Sequence, residues 1–374
     1  MPKEKGHGEG TITPKANGTF LARVRVDGQR LSHIAKTERE ARRWIRETVT
    51  KSEQGLLPAD KGKVTVEAFL DQWLKASIPS LRPKTVDLYE YTIRLHLKPA
   101  FGRLRLTDLR PDHLQTFYSD KVASGLSPRS VEIMHRLMHR VLNDAVLWRL
   151  VPRNVADAAK PPKTPKPEIR AWTPEQARHF LDGISGERLE ALHKMAIYCG
   201  MRQGELLGLK WEDLDWKAKR IQIRRLVHRT VSKGMTTGEP KTARSRRPIM
   251  LPDTVVDSLR RWSIRQKEER LLAGSLWQDT GHIFTSRVGT ALEPHKVHAD
   301  FVRLSESLAL PRIRFHDLRH TCASLLLSQG VHPKVVQELL GHGSIALTMD
   351  TYSHVLPSMQ EEAVRAMERV LGAT

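Results

Sequence analysis

The stretch HDLRH at residues 316–320 carries more information about this chain than any other of its length. It places His316 and Arg319 three residues apart, a spacing at which two side chains project from one face of a helix. Leu318 can then face the core. A basic pair of this kind is also common on solvated helix surfaces, so the stretch acquires a meaning only together with the rest of the sequence.

A second stretch, GMRQGELL at residues 200–207, puts a guanidinium and a carboxylate at the same spacing. Arg202 and Glu205 are expected on one face at the start of a helix. The alternative is an ordinary ion pair on the protein surface.

A third stretch, LLGH at residues 339–342, is followed by a short helical segment that begins at Ser344 and leads to Tyr352. A tyrosine in such a helix usually packs in a core or at its rim, because the ring is large and mostly apolar. Taken alone, this stretch is therefore uninformative as well.

The order of the motif residues is the informative feature, since five of them occur within about 150 residues: Arg202, His316, Arg319, His342 and Tyr352. With this order and these local contexts, the chain resembles the tyrosine recombinase family, also called the lambda-integrase family. The resemblance implies an enzyme that cuts and rejoins DNA through a 3′-phosphotyrosyl intermediate and a Holliday junction. It implies no metal and no other cofactor.

The resemblance also implies a role for each residue. Tyr352 is the nucleophile that attacks the scissile phosphate. Arg202 and Arg319 suit its non-bridging oxygens, because a guanidinium stays charged and donates two parallel hydrogen bonds. His316 accepts the proton of the tyrosine hydroxyl, since imidazole titrates near working pH. His342 donates a hydrogen bond to the phosphate.

The family uses a lysine on a β-hairpin, and the segment EPKTARSRRPI at residues 239–249 matches that hairpin. Lys241 is the expected general acid for the 5′ leaving oxygen, with a simple phosphate contact as the alternative. Arg244 and Arg246 are expected to contact DNA. Glu205 is expected to support the site by orienting His316 or one of the arginines.

The charge of the chain points to a polyanionic partner. Its 374 residues include 62 Lys and Arg against 42 Asp and Glu, which gives a formal net charge of +20. Basic residues recur along the whole chain, as expected for several surfaces that contact a phosphate backbone. A solvated basic surface without a function is the alternative that composition leaves open.

Other classes of site are disfavoured. Cys199 and Cys322 lie in apolar helical patterns, so we predict buried thiols rather than a disulfide framework or metal ligands. The histidines at residues 282–298 lack the compact spacing of a zinc site. Residues 1–10 lack the apolar core of a signal peptide, and no apolar stretch is long enough to span a bilayer. We expect a cytoplasmic protein, associated with the nucleoid of a bacterial host, without a membrane partner.

Residues 1–58 are predicted to form a small module of three strands and one helix. Alternating residues up to position 35 indicate the strands, with a hairpin turn at 27–28, and a capping box precedes the helix. Arg23 and Arg25 share one face of the second strand, where they contact DNA or form a solvated outer face. The module resembles the arm-binding domain of phage and conjugative-element integrases.

Residues 64–152 are predicted to be entirely helical and resemble the core-binding domain of these enzymes. Two of the helices are expected over residues 65–76 and 84–97. A later helix from residue 127 has an apolar stripe at helical spacing, which is typical of a core. The proline-rich residues 153–170 are predicted to be a linker, because they cannot continue a helix.

Residues 171–374 resemble the catalytic domain, and we predict mainly helices with a small antiparallel sheet. A strand over 221–227 is expected to pair near 247–251, and another short strand is expected at 282–285. An amphipathic helix over 359–371 is expected to pack on its own domain or on a neighbouring protomer. The fold class is therefore multidomain α+β.

The resemblance favours integration and excision of a mobile genetic element, with resolution of chromosome or plasmid dimers as the alternative. A DNA-binding regulator would explain the charge but not the ordered motifs. A type IB topoisomerase has no need for residues 1–58. The implied partners are double-stranded DNA attachment sites of core and arm type, other copies of the chain in a homotetramer, an excisionase and a DNA-bending host protein.

Overall fold

The computed structural model describes residues 10–26, 29–53, 64–165, 170–239, 246–341, 344–345, 349, 364 and 367–371. The predicted turn at 27–28 lies outside these ranges, as does most of the predicted helix over 359–371. The chain divides into two units, Met1–Lys166 and Pro167–Thr374. No helix in the described ranges is long and apolar enough to cross a membrane.

The first unit begins with the predicted antiparallel sheet, in the order β1 (Thr11–Pro14), β2 (Phe20–Val26) and β3 (Gln29–Ala35). Successive strand residues point to opposite faces, and Ala22 and Ala35 face Ala41 of helix α1 (Glu38–Glu53) in a small core. The helix starts after Thr37, whose hydroxyl accepts the backbone N–H of Glu40 at 3.2 Å, as a capping residue should.

The rest of the first unit is helical, as predicted: α2 (Val66–Ser77), α3 (Pro83–Thr92), α4 (Lys98–Phe101), α5 (Pro111–Ala123) and α6 (Pro128–Leu147), with 3₁₀ turns at Ile78–Ser80, Leu106–Asp108 and Val155–Ala158. The predicted stripe of α6 is buried along its length, at Val131, Met134, Leu137, Met138, Val141, Leu142 and Ala145. Trp73 of α2 packs in the same core, and its Nε1 donates to Asp144 Oδ2 at 2.5 Å.

The helix predicted over 84–97 is present, but it contains a π-helical segment that was not predicted. The chain is helical from Pro83 to Phe101, but Ile93–Leu97 is a π-helical segment between α3 and α4. Pro99 supplies the physical reason, because proline has no N–H to donate to Leu95 O four residues earlier, and its ring crowds that carbonyl. A wider turn before the proline relieves this clash.

The second unit contains α7 (Pro174–Gly183), α8 (Glu190–Cys199), α9 (Gln203–Gly208), α10 (Asp253–Ala273), α11 (Pro294–Ser307), α12 (Asp317–Ser328) and α13 (Pro333–Leu340), with 3₁₀ turns at Trp211–Asp213 and Gly274–Leu276. One antiparallel sheet has the order β4 (Leu214–Asp215), β5 (Arg220–Gln222) and β8 (Pro248–Met250). A separate hairpin pairs β6 (Leu226–Thr230) with β7 (Gly234–Gly238).

The strand predicted over 221–227 is therefore two strands in different sheets. Its first part, β5, pairs with β8 as expected near residues 247–251. The break has a clear cause, because Arg224 and Arg225 both form ion pairs with Asp213, at 3.6 and 2.6 Å. Neighbouring side chains of a regular strand point to opposite faces and cannot share one partner in this way.

The short strand predicted over 282–285 is also wrong. Only isolated bridges occur there, from His282 to Lys210 and from Thr285 to Ala291. Side chains of α10 form hydrogen bonds to the carbonyl groups that would otherwise pair with a neighbouring strand. Gln266 Nε2 donates to His282 O at 3.1 Å, and Trp262 Nε1 donates to Ile283 O at 2.6 Å.

An aromatic cluster lies in the core of the second unit, with ring centroids about 5 to 6 Å apart, and includes Trp172, Phe180, His193, Phe301 and Phe315. Cys199 and Cys322 are buried free thiols, as predicted. Burial raises the pKa of both thiols, and that of Cys322 reaches about 12. Neither thiol is therefore a nucleophile at neutral pH.

His193→Phe is expected to make the protein less sensitive to acid. Complete burial lowers the pKa of His193 below 6.5 and outweighs the attraction of Asp300. The unfolded chain therefore binds a proton at a higher pH than the folded chain, and stability falls as the pH drops below about 6.5. Phenylalanine cannot take up this proton and fits the aromatic cluster.

The check is the free energy of unfolding in urea at pH 7.5 and at pH 5.5. The loss between the two values should be smaller for His193→Phe than for wild type, and an equal loss would refute the prediction. Leu189 O keeps the backbone N–H of residue 193 as a partner at 3.1 Å, so the substitution leaves no unpaired carbonyl.

Candidate active site

Arg202 is placed by a sharp turn between α8 and α9. Helix α8 ends at Gly200, whose φ of +57° lies in the left-handed region that favours glycine. A Cβ atom at Gly200 would also lie 2.5 Å from Leu340 Cδ2, so a larger residue would displace that side chain. Two residues later, Arg202 occupies the N-cap position of α9, with its side chain 35% exposed.

Glu205 holds Arg202 from the first turn of α9. Its Oε1 accepts a hydrogen bond from Arg202 Nη1 at 2.8 Å, and its Oε2 accepts the backbone N–H of Arg202 at 3.0 Å. Glu205 is only 1% exposed, so the pair is not an ordinary surface ion pair. Of the two partners considered for Glu205, an arginine is the one in hydrogen-bond contact.

A second arginine on Glu205 was missed by the sequence analysis. Arg247, just before β8, is 7% exposed and donates to both carboxylate oxygens, from Nη1 at 3.3 Å and from Nη2 at 3.2 Å. Its Nε donates to Leu339 O at 2.6 Å. The sequence contained a signal for its burial, because Arg247 lies at alternate positions with Ile249 and Leu251, which are both buried. A charge on that inward face requires a partner.

Glu205 is ionised in these surroundings. Burial by itself would raise the pKa of the carboxyl group, but the charge and hydrogen bonds of Arg247, together with those of Arg202, hold the pKa below its ordinary value. A buried carboxylate is tolerated when it is paired in this way. Two guanidinium groups thus share one negative charge.

Arg319 is held by two backbone oxygens from separate segments. It lies in the first turn of α12 and is 3% exposed. Its Nη1 donates to Gly200 O at 2.7 Å, and its Nη2 donates to Leu340 O at 2.6 Å. The planar guanidinium therefore links the turn that precedes Arg202 to the end of α13.

His316 occupies the N-cap position of α12 and is an exposed residue. Desolvation by the surrounding protein is the largest cause that lowers the pKa of His316 to about 4; the neighbouring His320, Arg319 and Arg202 lower it further, and the Asp317 carboxylate partly offsets them. Solvent at the exposed edge weakens these effects, but their direction keeps the imidazole neutral at pH 7. The direction of this shift favours a neutral His316 that is able to accept a proton.

His320, which the sequence analysis did not assign to the site, lies beside His316 with the rings edge to face and their centroids 5.4 Å apart. Burial lowers the pKa of His320 as well. Arg246 is exposed and forms an ion pair with Glu239 at 2.6 Å. The other residues expected at the site lie outside the described residues: Lys241, Arg244, His342 and Tyr352.

The described part of the site is suited to an oxyanion. Two guanidinium groups, from Arg202 and Arg247, pair with the carboxylate of Glu205. A third, from Arg319, binds the neutral backbone oxygens Gly200 O and Leu340 O, so fixed positive charge is in excess among these residues. Positive groups that are already in place need no reorganisation when negative charge develops on a substrate. A phosphate diester is a ligand of this kind.

A comparison with known protein families decides the identity of this unit. The model of the phage integrase family matches residues 171–359, about half of the chain. The chain belongs to the phage integrase family. A second model, the N-terminal SAM-like domain of phage integrases, matches residues 65–122. The enzyme class predicted from the motifs, a tyrosine recombinase, is confirmed.

Relatives of this integrase-family chain are similar along most of their length. A protein of Caldanaerobacter subterraneus subsp. tengcongensis, named tyrosine recombinase XerC-like, is 29% identical over 358 residues and covers 90% of this chain and 91% of the relative. An integrase of Streptomyces ambofaciens is 29% identical over 339 residues, which is 88% of this chain and 86% of the relative.

Solved structures have the same fold. The Tn1549 transposon integrase in complex with a circular intermediate DNA superposes with a TM-score of 0.67 at 20% identity, covering 81% of this chain and all of that one. A lambda integrase tetramer bound to a Holliday junction gives a TM-score of 0.56 at 17% identity, with 89% and 95% of the two chains covered. The predicted multidomain α+β fold class is confirmed.

Proposed function

We propose that this chain is a site-specific DNA recombinase that integrates and excises a mobile genetic element. The observation that carries the proposal is the pair Arg202 and Arg319, held rigidly beside each other through Gly200 and the end of α13. Two fixed guanidinium groups can bind both non-bridging oxygens of one phosphate. Membership of the phage integrase family supports the same chemistry.

In the proposed reaction, the Tyr352 hydroxyl oxygen attacks the scissile phosphorus, and the bond from phosphorus to the 5′ oxygen breaks. The tyrosine proton passes to His316, and Lys241 supplies a proton to the leaving 5′ oxygen. His342 donates a hydrogen bond to the phosphate. The product is a 3′-phosphotyrosyl link and a free 5′-hydroxyl, which conserves the bond energy for rejoining.

DNA binding itself would prepare His316 for this role. In the isolated protein the low pKa of His316 leaves it neutral, so it can accept a proton but is a weak base. A bound phosphate brings negative charge close to the imidazole and raises its pKa towards the ordinary value. The base then becomes stronger only when the substrate is in place.

The test is formation of a covalent adduct on a selected DNA site. Duplexes with a randomised centre are first enriched by binding to the Tyr352→Phe variant. The enriched site is rebuilt with a nick, so that the released strand end diffuses away and rejoining is prevented. Wild-type protein in EDTA should then give a denaturation-resistant adduct. Tight binding to several enriched sites without any adduct would instead indicate a DNA-binding regulator.

The sheet of the first unit supports a second DNA contact, at arm-type sites. Arg25 lies directly opposite Arg30 in the register of β2 and β3, on the face away from α1. Like charges directly opposite each other destabilise a sheet unless an anion lies over them. We therefore assign residues 1–58 to arm-site binding, residues 64–152 to core-site binding, residues 153–170 to a linker and residues 171–374 to catalysis.

Resolution of chromosome or plasmid dimers is the second candidate function, since one relative is named tyrosine recombinase XerC-like. The two candidates differ in their need for arm sites. Arg23→Ala combined with Arg25→Ala should abolish protection of one class of sequence in a DNA footprint and leave the core site protected, because these arginines face away from the sheet's own core.

The matched control replaces Arg42 and Arg43, which are exposed on α1 and paired with glutamates. This variant should protect both classes of sequence, as wild type does. A single class of protected site that does not depend on Arg23 and Arg25 would favour dimer resolution over integration.

The active assembly is proposed to be a homotetramer on two recombining sites. Four apolar residues near the C-terminus support docking on a neighbouring copy, because they are between 56% and 76% exposed within one chain: Val364, Met367, Val370 and Leu371. An excisionase and a DNA-bending host protein are the further proposed partners, at the nucleoid of a bacterial host.

Truncation after His354 is expected to leave a protein that binds the core site but no longer assembles four copies on a Holliday junction. The removed residues carry the exposed apolar side chains, whose burial between copies would drive the assembly. Sedimentation of the protein–junction complex measures the number of copies. Tetramers of unchanged stability would show that this tail packs on its own chain.

A further inference from the structure

Three arginines from separate segments bind three consecutive backbone oxygens at the end of α13. The bonds run from Arg247 Nε to Leu339 O at 2.6 Å, from Arg319 Nη2 to Leu340 O at 2.6 Å and from Arg202 Nη2 to Gly341 O at 3.3 Å. We call this arrangement the α13 clamp. The last carbonyl groups of a helix lack partners within the helix and carry partial negative charge, so cations stabilise them.

Gly341 is shaped for the clamp. Its φ of +64° ends the helix in the left-handed conformation. A Cβ atom at this position would lie 2.7 Å from Arg247 Nη1 and 3.0 Å from Arg247 Cζ. Glycine therefore allows the guanidinium to lie directly against the backbone, in the residue before His342.

Arg247 and Arg202 both bind Glu205 as well as the end of α13, and Arg247 does so with all three of its guanidinium nitrogens. While its Nε holds Leu339 O, its two terminal nitrogens hold both oxygens of Glu205, and Glu205 in turn holds Arg202. Nε, Nη1 and Nη2 of Arg247 each donate to a protein acceptor, so the side chain is placed to act on its neighbours.

We propose that Arg247 is a positioning residue for strand cleavage, which locks Glu205 against Arg202 and simultaneously fixes the end of α13, from which the chain continues into His342. The inference rests on the proposed function of the site. The guanidinium group of Arg247 thereby couples Arg202, which is proposed to bind the phosphate, to the end of α13. Lysine keeps the charge but cannot span both partners with one ammonium group.

The experiment uses the full-length chain and the nicked duplex described above, at saturating protein. Arg247→Met is expected to lower the first-order rate constant of cleavage about 100-fold, as displacement of catalytic groups by an ångström does. Arg247→Lys is expected to lower it about 10-fold, since charge is kept and geometry is lost. DNA affinity should stay within about threefold of wild type for both, because the guanidinium nitrogens of Arg247 bind Leu339 O and Glu205 and the proposal gives this residue no contact with DNA.

Arg188 provides a matched control in the same unit. It is mostly buried, donates to both carboxylate oxygens of Glu269 at 2.7 Å and donates to Thr285 O at 2.8 Å. Arg188→Met therefore breaks the same kind of arginine, glutamate and carbonyl arrangement, but around α10. It should lower the melting temperature and leave the rate constant within about threefold of wild type, since general destabilisation does not displace the catalytic groups.

Coupling through Glu205 is measured with a double-mutant cycle. Glu205→Gln alone should slow cleavage, and the double variant with Arg247→Met should be no more than about threefold slower than the slower single variant, because both act through one network. If the rate reductions of the two single variants multiplied in the double variant, the proposed coupling between Arg247 and Glu205 would be overturned. A rate constant for Arg247→Met within about threefold of wild type would overturn the positioning role.

If Arg247→Met does not melt cooperatively, the test uses Arg247→Lys instead. A cleavage rate constant for Arg247→Lys within about threefold of wild type would then overturn the positioning role. The absence of any adduct with wild-type protein would overturn the proposed function and the positioning role with it. A normal adduct rate in a folded Arg247 variant would overturn the positioning role alone.

Discussion

Tyr352→Phe is expected to abolish the covalent protein–DNA adduct, with a loss of at least about 10⁴-fold in the rate of cleavage, as for removal of other enzymatic nucleophiles. Phenylalanine keeps the ring and lacks only the hydroxyl oxygen that would form the bond to phosphorus. Affinity for the selected core site should therefore be unchanged. The measurement is the fraction of labelled nicked duplex that migrates with the protein after denaturation.

Tyr198→Phe is the matched control. Tyr198 is the other tyrosine of the second unit and is exposed near the end of α8, four residues before Arg202. This variant should form the adduct at the rate of wild type. An adduct that persists in Tyr352→Phe and disappears in Tyr198→Phe would move the nucleophile to α8 and refute the assignment from the motifs.

Arg319→Lys is expected to lower the rate of cleavage about 10³-fold at saturating DNA, the size of the loss when one fixed donor to a developing oxyanion is removed. The structure explains why this exchange is not conservative. The guanidinium reaches Gly200 O and Leu340 O with two different nitrogens, and a single ammonium cannot bond to both in that geometry. The orientation of the group that meets the phosphate is then lost, although its charge is kept.

The control for this substitution is Arg303→Lys in α11. Arg303 is exposed and pairs with Asp300 and Glu187 at 2.9 and 3.1 Å. Exposed pairs contribute little, so the rate should change by less than about threefold. If Arg319→Lys also cleaved at nearly the wild-type rate, charge alone would suffice at this position, and the fork geometry would have no catalytic importance.

Local patterns predicted most elements of the fold correctly. The apolar stripe of α6 and the alternation in β2 each depend on residues a few positions apart, and both are present as predicted. The errors arose where a contact with a distant segment overrides the local pattern. Asp213 draws Arg224 and Arg225 to one side and ends β5, and α10 occupies the carbonyl groups near His282.

The catalytic set was predicted from the sequence, because the motifs around Arg202, His316 and Arg319 are recognisable by type and order, and it stays a prediction. The lowered pKa of His316 was not predicted, since its largest cause is desolvation in the folded chain, with a smaller contribution from Arg202 of a separate segment. Burial of a side chain depends on segments that meet only after folding.

The sequence by itself determined the family, the fold class and the enzyme class, because helix periodicity and strand alternation are encoded within short stretches and the order of the motifs is read directly along the chain. Only the tertiary structure decided how the site is held together. Arg247 meets Glu205 and Leu339 across 42 and 92 positions of the chain, and Arg319 meets Gly200 across 119. Such contacts exist only after the core has packed, since burial both brings these segments together and makes an unpaired charge there too costly to leave without a partner.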